Sequence, residues 1–261
     1  MSRTYVVTGA GAGIGLATAD LLREQGFKVV GVDLKNTEVI ADLSTLAGRK
    51  QAVADVLKAT SKVDAIIACA GVAMPKSITV AINYFGVTEF VEGLVPTLAK
   101  SDAPRVAVVS SMASIQPNSK ELVDALLAND EAKALKIGDK LAEQGPDIGY
   151  LNYSSSKRAI SRWIRQVCIT ERFAGQGIAI NAAAPGVVIT DMTKELLATP
   201  EARQSVDSQV PMPLNYHAKA SDVSKLLIWL TSVDNSHVTG QTIYIDGGTD
   251  ATLRGDDIWS N

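Results

Sequence analysis

The chain has 261 residues, 46% of them apolar and 20% charged, an ordinary globular mixture long enough to bury a sizeable core. Its 25 basic and 28 acidic residues leave a formal net charge of −3 without a long basic run, so the electrostatic footprint of nucleic-acid or anionic-membrane binding is missing. Cys69 and Cys168 form no Cys-x-x-Cys and read as buried thiols of a reducing compartment; the two histidines, His217 and His237, are late and in polar contexts, which argues against Ser-His-Asp chemistry and His-based metal sites.

The first strand-like run, TYVVT at 4–8, leaves no room ahead of it for a leader, and the longest apolar run, Ala65 to Met74, is too short to span a bilayer. A cytoplasmic protein without a membrane partner is expected. Val- and Ile-rich runs follow at 28–33, 63–69, 104–110, 178–184 and 241–246, apolar at consecutive positions like strands covered on both faces. Helical patterns lie between, at 13–25, 45–60, 77–99, 119–144, 152–174, 192–208 and 221–232. This alternation predicts an α/β chain: a single-domain, Rossmann-type, doubly wound parallel sheet with helices on both faces. Between Asp33 and Asp42 a helical crossover does not fit, so any strand at 38–41 is reached by a loop.

The segment TGAGAGIG, 8–15, follows a strand and opens a helix. Glycines there let a phosphate approach the main chain, and the N–H groups and dipole of the following helix favour its charge. The spacing, Gly9-x-x-x-Gly13-x-Gly15, departs from the commonest dinucleotide fingerprint, and alone fits a tight strand–helix turn as well. Asp33 at the end of the second strand adds the acidic group that hydrogen-bonds an adenosine ribose. A carboxylate there repels a 2′-phosphate, and no Arg or Lys lies between Gly9 and Gly15, so NAD(H) is the expected cofactor; Lys35 reads as an exposed loop residue. Further on, YSSSK at 153–157 places Tyr153 and Lys157 on one helical face, where an ammonium favours phenolate.

Taken in order, TGAGAGIG, Asp33, ADL at 41–43, ACAG at 68–71, Asn83, VVSS at 108–111, YSSSK, Asn181, PGVVIT at 185–190 and IDGG at 245–248 resemble the short-chain dehydrogenase/reductase family over almost the whole length. The resemblance implies that Tyr153 is the general acid/base, that Lys157 lowers its pKa and holds the nicotinamide ribose, and that Ser111, rather than Ser110, hydrogen-bonds the reacting oxygen. Asn83 is then expected to anchor a water that relays protons through Lys157. Gly9, Gly13, Ile14 and Gly15 are expected around the pyrophosphate, Asp42 and Leu43 beside adenine, Gly71 near the cofactor, and Pro185, Gly186, Val188 and Thr190 at the carboxamide. Asn83 bonding only backbone in its helix, and Thr190 as a helix N-cap, are the plainer readings of those two residues.

Two departures from the family pattern stand out. Ala68-Cys69 replaces asparagines, reducing side-chain bracing of the central sheet. The interval from Ser111 to Tyr153 far exceeds a βα loop of roughly 2–6 residues. Its Leu122, Val123, Leu126, Leu127, Leu135, Ile137 and Leu141 fit helical spacing, with Asn118 and Glu121 as a capping pair and Gly145-Pro146 as a stop, so an inserted helix or helical pair is predicted near 117–147. Relatives of this kind associate through long helices beside this point. An insertion covering them points to a homodimer through the last strand and its neighbouring helix; an insertion packed as a flap is the alternative.

A substrate loop is predicted at 187–215, with Met192, Leu196, Leu197, Val210 and Met212 as an apolar lid or as packing onto the sheet. Tyr150, Trp163 and Trp229 are expected in the core. The implied activity is NAD(H)-dependent interconversion of a small hydrophobic secondary alcohol and its ketone; within the family, segments 31–57, 83–89 and 245–251 resemble bacterial members that act on 3α-hydroxysteroids and carbonyls. Aromatic (coniferyl-type) or small cyclic alcohols are the alternative substrates, and a dinucleotide-binding sensor without catalysis is the remote one.

Overall fold

The computed structural model describes residues 3–259. Strands β1 (Thr4–Thr8), β2 (Lys28–Asp33), β3 (Val39–Ile40), β4 (Ala65–Ala68), β5 (Arg105–Val109), β6 (Ala179–Pro185) and β9 (Thr242–Ile245) form one sheet in the order β3-β2-β1-β4-β5-β6-β9, and every neighbouring pair is parallel. The predicted strands fall within a residue or two of these bounds. β3 is reached from β2 by a loop, as the short spacing required. The strand order reverses between β1 and β4, where Thr8 lies opposite Ala68, so a crevice opens beyond their carboxyl ends.

Side-chain alternation along the strands feeds two cores, one on each face. Tyr5, Val7, Ala65 and Ile67 point toward α1 (Gly13–Glu24) and α10 (Ala220–Thr231), where they meet Leu22, Val223, Leu227 and Leu230. Val6, Ile66, Val106 and Val108 point to the opposite face, against α2 (Leu46–Ala59), α4 (Gly86–Leu98) and α8 (Leu151–Val167). A short α3 (Ile78–Val80) runs into α4 through a π turn at Ala81–Phe85, making one helix from Ile78 to Leu98. That helix is long and apolar enough to cross a membrane by length and composition, although charged residues break its apolar run; 72% of its apolar window is buried inside the protein.

The insertion is a helical pair, α5 (Lys120–Leu127) and α6 (Glu131–Ala142), followed by the single turn α7 (Pro146–Gly149). The N-cap of α5 is Ser119, whose hydroxyl accepts from the Leu122 amide, and not Asn118, whose side chain turns back to the Gln116 carbonyl. Leu122, Val123 and Leu126 are buried as α5 packs along α8. Arg49 of α2 ties the far end down. Although its side chain is only 1% exposed, it pairs with Glu89 of α4 at 2.8 Å and with Glu131, the first residue of α6, at 2.6 Å. A guanidinium so desolvated is tolerable only when paired in this way.

Two helical predictions are corrected. α8 stops at Val167 rather than 174, and the chain reverses through Gly177 at φ +68°, which lets Phe173 bury its ring edge-on to Trp163, 6.3 Å away. The segment 192–208 is helical only in α9 (Pro200–Gln209), capped by the Thr199 hydroxyl; before it lies a single 3₁₀ turn at Asp191–Thr193. A small parallel pair, β7 (Val188–Ile189) with β8 (Ala218–Lys219), and the final α11 (Thr249–Arg254) were too short to leave a periodic signal. Of the three aromatics expected in the core, only Trp163 is buried; Tyr150 and Trp229 are each about two-fifths exposed.

Candidate active site

The crevice at the strand reversal is a cavity of about 360 Å³. At one end stands the loop after β1. Gly9 adopts φ +69°, and a Cβ there would come within 2.8 Å of the Ala70 amide nitrogen; a Cβ on Gly15 would overlap the Gly9 carbonyl oxygen. Only glycine permits that packing of loop, helix start and β4. Asp33 faces the loop from the end of β2, its carboxylate accepting the Gly11 amide at 2.9 Å and the Leu34 amide at 2.6 Å. Gly13, Ile14, Asp42 and Leu43 complete this end of the wall, and Lys35 is exposed.

At the other end β5, α8 and the segment after β6 converge. Ser111 stands just past β5, and its hydroxyl accepts the Ala113 amide at 3.1 Å at the start of a 3₁₀ turn. The neighbouring Ser110 points elsewhere: its hydroxyl donates to the Lys157 carbonyl and lies 2.8 Å from the Ser161 hydroxyl. Tyr153 and Lys157 share one face of α8, with the ammonium 5.8 Å from the centre of the phenol ring. Lys157 donates to the Val109 carbonyl at 2.8 Å. Gly71, Pro185, Gly186, Val188 and Thr190 border the same cavity. Thr190 is the residue before the 3₁₀ turn, its amide held by the Thr193 hydroxyl at 3.1 Å, so the N-cap reading and the wall position coincide.

Asn83 lies behind the wall instead of on it. It is fully buried in the π turn, and its amide clamps Val72 from both sides, accepting the Val72 amide and donating to the Val72 carbonyl, each at 2.9 Å. Its backbone partners therefore come from the loop after β4, not from its own helix. The bracing lost with Ala68-Cys69 is replaced by Thr8, whose hydroxyl accepts the Ala70 amide at 3.1 Å. Nothing in the sequence singled out Thr8, because its partner is distant along the chain.

The electrostatics differ from the expectation drawn from the Tyr-x-x-x-Lys spacing. Burial pushes the Tyr153 phenol above its ordinary value, and a hydrogen bond with Ser111 pulls it partly back. Burial also lowers the Lys157 ammonium to about 8, against a small opposing influence of Cys69. The Cys69 thiol on the cavity wall is pushed up to about 12 by burial and is inert at neutral pH. The protein by itself thus holds a neutral phenol beside a weakly acidic ammonium. The lowered phenol pKa expected from the spacing is not a property of the chain alone.

Comparison with known proteins agrees with this geometry. A family model described as enoyl-(acyl carrier protein) reductase matches residues 9–250. The chain is 38% identical to the 3-alpha-hydroxysteroid dehydrogenase/carbonyl reductase of Comamonas testosteroni, across 95% of this chain and 97% of that protein. The chain belongs to the short-chain dehydrogenase/reductase family. It is an oxidoreductase built to bind a dinucleotide. The crystal structure of the 3-alpha-hydroxysteroid dehydrogenase from Pseudomonas sp. B-0831, complexed with NADH, superposes with a TM-score of 0.88 at 34% identity, covering 98% of this chain and all of that one. A glucose 1-dehydrogenase of Gluconobacter oxydans is 27% identical across 99% of this chain and 96% of its own length. The dinucleotide fits the residues present: the glycine loop leaves bare backbone at one end, and a buried ammonium beside a phenol stands at the other.

Proposed function

We propose that the chain works as one dinucleotide-binding and catalytic domain that interconverts a hydrophobic secondary alcohol and its ketone with NAD(H), of the 3α-hydroxysteroid/carbonyl reductase type. The observation that carries this reading is the convergence of Ser111, Tyr153 and Lys157 in the cavity that Asp33 closes at its far end. When bound, the nicotinamide exchanges a hydride with the carbinol carbon. Tyr153 gives or takes the proton at its phenol oxygen, and Ser111 holds both that phenol and the reacting oxygen. Lys157, anchored on the Val109 carbonyl, orients the cofactor ribose and keeps positive charge beside the phenol. Moving a phenol from about 10 toward neutrality takes roughly 4 kcal/mol, at about 1.36 kcal/mol per pH unit, and the cofactor's own positive charge adds to that of Lys157. Gly9, Gly13, Ile14 and Gly15 take the pyrophosphate, Asp42 and Leu43 flank adenine, and Gly71, Pro185, Gly186, Val188 and Thr190 enclose the nicotinamide end. A water relay from Asn83 toward Lys157 would use the main chain of the π turn, since the amide side chain is engaged by Val72.

Asp33 supports NAD(H) over NADP(H), because its carboxylate sits at the ribose end and repels a 2′-phosphate. The NADH in the Pseudomonas structure supports the same choice. Asp33→Ala is expected to move the NADPH/NADH preference by about tenfold or more, from a charge repulsion of about 1.4 kcal/mol; an unchanged ratio assigns the choice elsewhere. Substrate class is tested by following NADH formation from NAD⁺ with a 3α-hydroxysteroid, coniferyl alcohol and a cyclic secondary alcohol. Fast reduction with the steroid supports the reading above. Activity on the other two alone reassigns the substrate, and NADH binding without turnover on any would favour a sensor.

A cytoplasmic homodimer completes the proposal. β9 is the outer strand of the sheet, Trp229 and Val233 are exposed on and just after α10, and α5 covers α8. Light scattering on the purified chain reads the dimer directly.

A further inference from the structure

A second cavity, of about 260 Å³, lies outside the catalytic crevice, between α8, β9 and the end of α11. Three of its walls' side chains are arginines of one helix face: Arg158, Arg162 and Arg165, at i, i+4 and i+7 of α8. Like charges at this spacing repel and cost a helix stability unless something offsets them. The chain itself offsets little. Among the described residues Arg158 donates only to the Ser114 carbonyl, at 3.2 Å. Arg162 has Asp124 no nearer than 4.0 Å, and that carboxylate is already held by Lys120 at 2.6 Å. Among the described residues Arg165 has no carboxylate within ion-pair distance. A fourth guanidinium, Arg254, is matched by Asp250 and lies 5.3 Å from the centre of the Tyr244 ring.

We infer that this cavity binds a compact multivalent oxyanion. Guanidinium groups supply forked donors of the geometry that phosphate and carboxylate accept. The size suits a phosphate ester or a small polycarboxylate rather than a drug-sized apolar ligand. The cavity shares α8 with Tyr153 and Lys157, and its Ser161 hydroxyl is linked through Ser110 to the Lys157 carbonyl.

The test is calorimetric titration of the full chain, at low ionic strength, with pyrophosphate and with citrate, each with and without saturating NADH. One saturable site that NADH does not displace is expected. It should weaken at least about tenfold in Arg165→Gln and further in Arg158→Ala/Arg165→Ala, with NADH affinity unchanged. Among the described residues the exposed Arg165 side chain makes no hydrogen bond or ion pair, so the single variant remains informative if the double variant fails to fold. Tighter binding of pyrophosphate assigns a phosphate ester, and tighter binding of citrate a polycarboxylate; either supports the site. Absence of saturable binding, binding that NADH displaces, or affinity unchanged in both variants overturns it.

Discussion

The two ends of the catalytic cavity are made of different material. The dinucleotide end is bare backbone pressed against backbone, with Gly9 against Ala70 and Gly15 against Gly9, and Asp33 fixed by two amides. The end proposed for the substrate has Met192 in its lining, more than half exposed on irregular chain; farther along the same segment Leu196 is also more than half exposed, whereas Leu197 is buried and Met212 packs on Gly247. Of the five residues read as a lid, some therefore pack and some face outward. Backbone contacts tolerate no change of volume, while exposed side chains can be exchanged without disturbing a core. One end is thus fixed for a constant ligand, and the other is free to vary with the substrate.

The largest effect is expected where the two ends meet. Tyr153→Phe removes the proposed proton donor and keeps the ring, so turnover should fall by about 10³-fold or more while NADH quenching titrations stay normal; near-normal turnover would remove Tyr153 from the chemistry. Lys157→Met should also abolish turnover, yet raise stability. The sign follows from linkage: the Lys157 pKa falls from 10.5 to about 8 on folding, so the unfolded chain holds more protons between those values. Its protonated form costs the fold up to about 3 kcal/mol at and below neutrality, and that cost disappears as pH rises from about 8 to 10.5. Because the raised Cys69 thiol acts with the opposite sign above about pH 9, the clean reading is the difference: the stability advantage of Lys157→Met over the wild type should shrink as pH rises from about 8 to 10.5.

At the dinucleotide end, Gly15→Ala should destabilise by about 3 kcal/mol or more and weaken NADH binding, read by urea denaturation and fluorescence titration. A well-folded Gly15→Ala protein with normal NADH affinity would break the contrast between the two ends. The smallest effect belongs to the substrate end. Leu196→Ala should leave the melting temperature within about 1 °C, because exposed substitutions typically change stability by less than about 0.5 kcal/mol. It should raise KM for a bulky hydrophobic alcohol a few-fold with kcat little altered. An unchanged KM would move the substrate wall to the buried members of the segment.

Much of this molecule was legible in local pattern, and the misses share a cause. Strands covered on both faces are apolar at consecutive positions, and the Tyr153–Lys157 spacing fixes a shared helix face; both signals are local. The cap of α5 was misplaced by one residue because Asn118 and Ser119 are both good caps, and only the chain direction after Ser119 distinguishes them. Tyr150 and Trp229 were placed in the core by residue type, although type alone does not say which way a helix faces. In the protein without cofactor the phenol pKa lies above its ordinary value: the spacing reports the nearby ammonium but not the desolvation of both groups.

By itself the sequence determined the strand–helix alternation, the glycine loop with its acidic partner, the helical insertion and the placement of Tyr153 and Lys157 on one helix face, since each is encoded within one or two turns of chain. Tertiary structure alone decided the rest: that Arg49 bolts the insertion to α2 and α4, that Thr8 takes over the bracing at Cys69, that Asn83 clamps Val72, and that three arginines of α8 share a cavity with Thr242. Each of these joins residues far apart in the chain; for Arg49, Thr8 and Asn83 the pairing gains its weight because burial has removed water as the alternative partner.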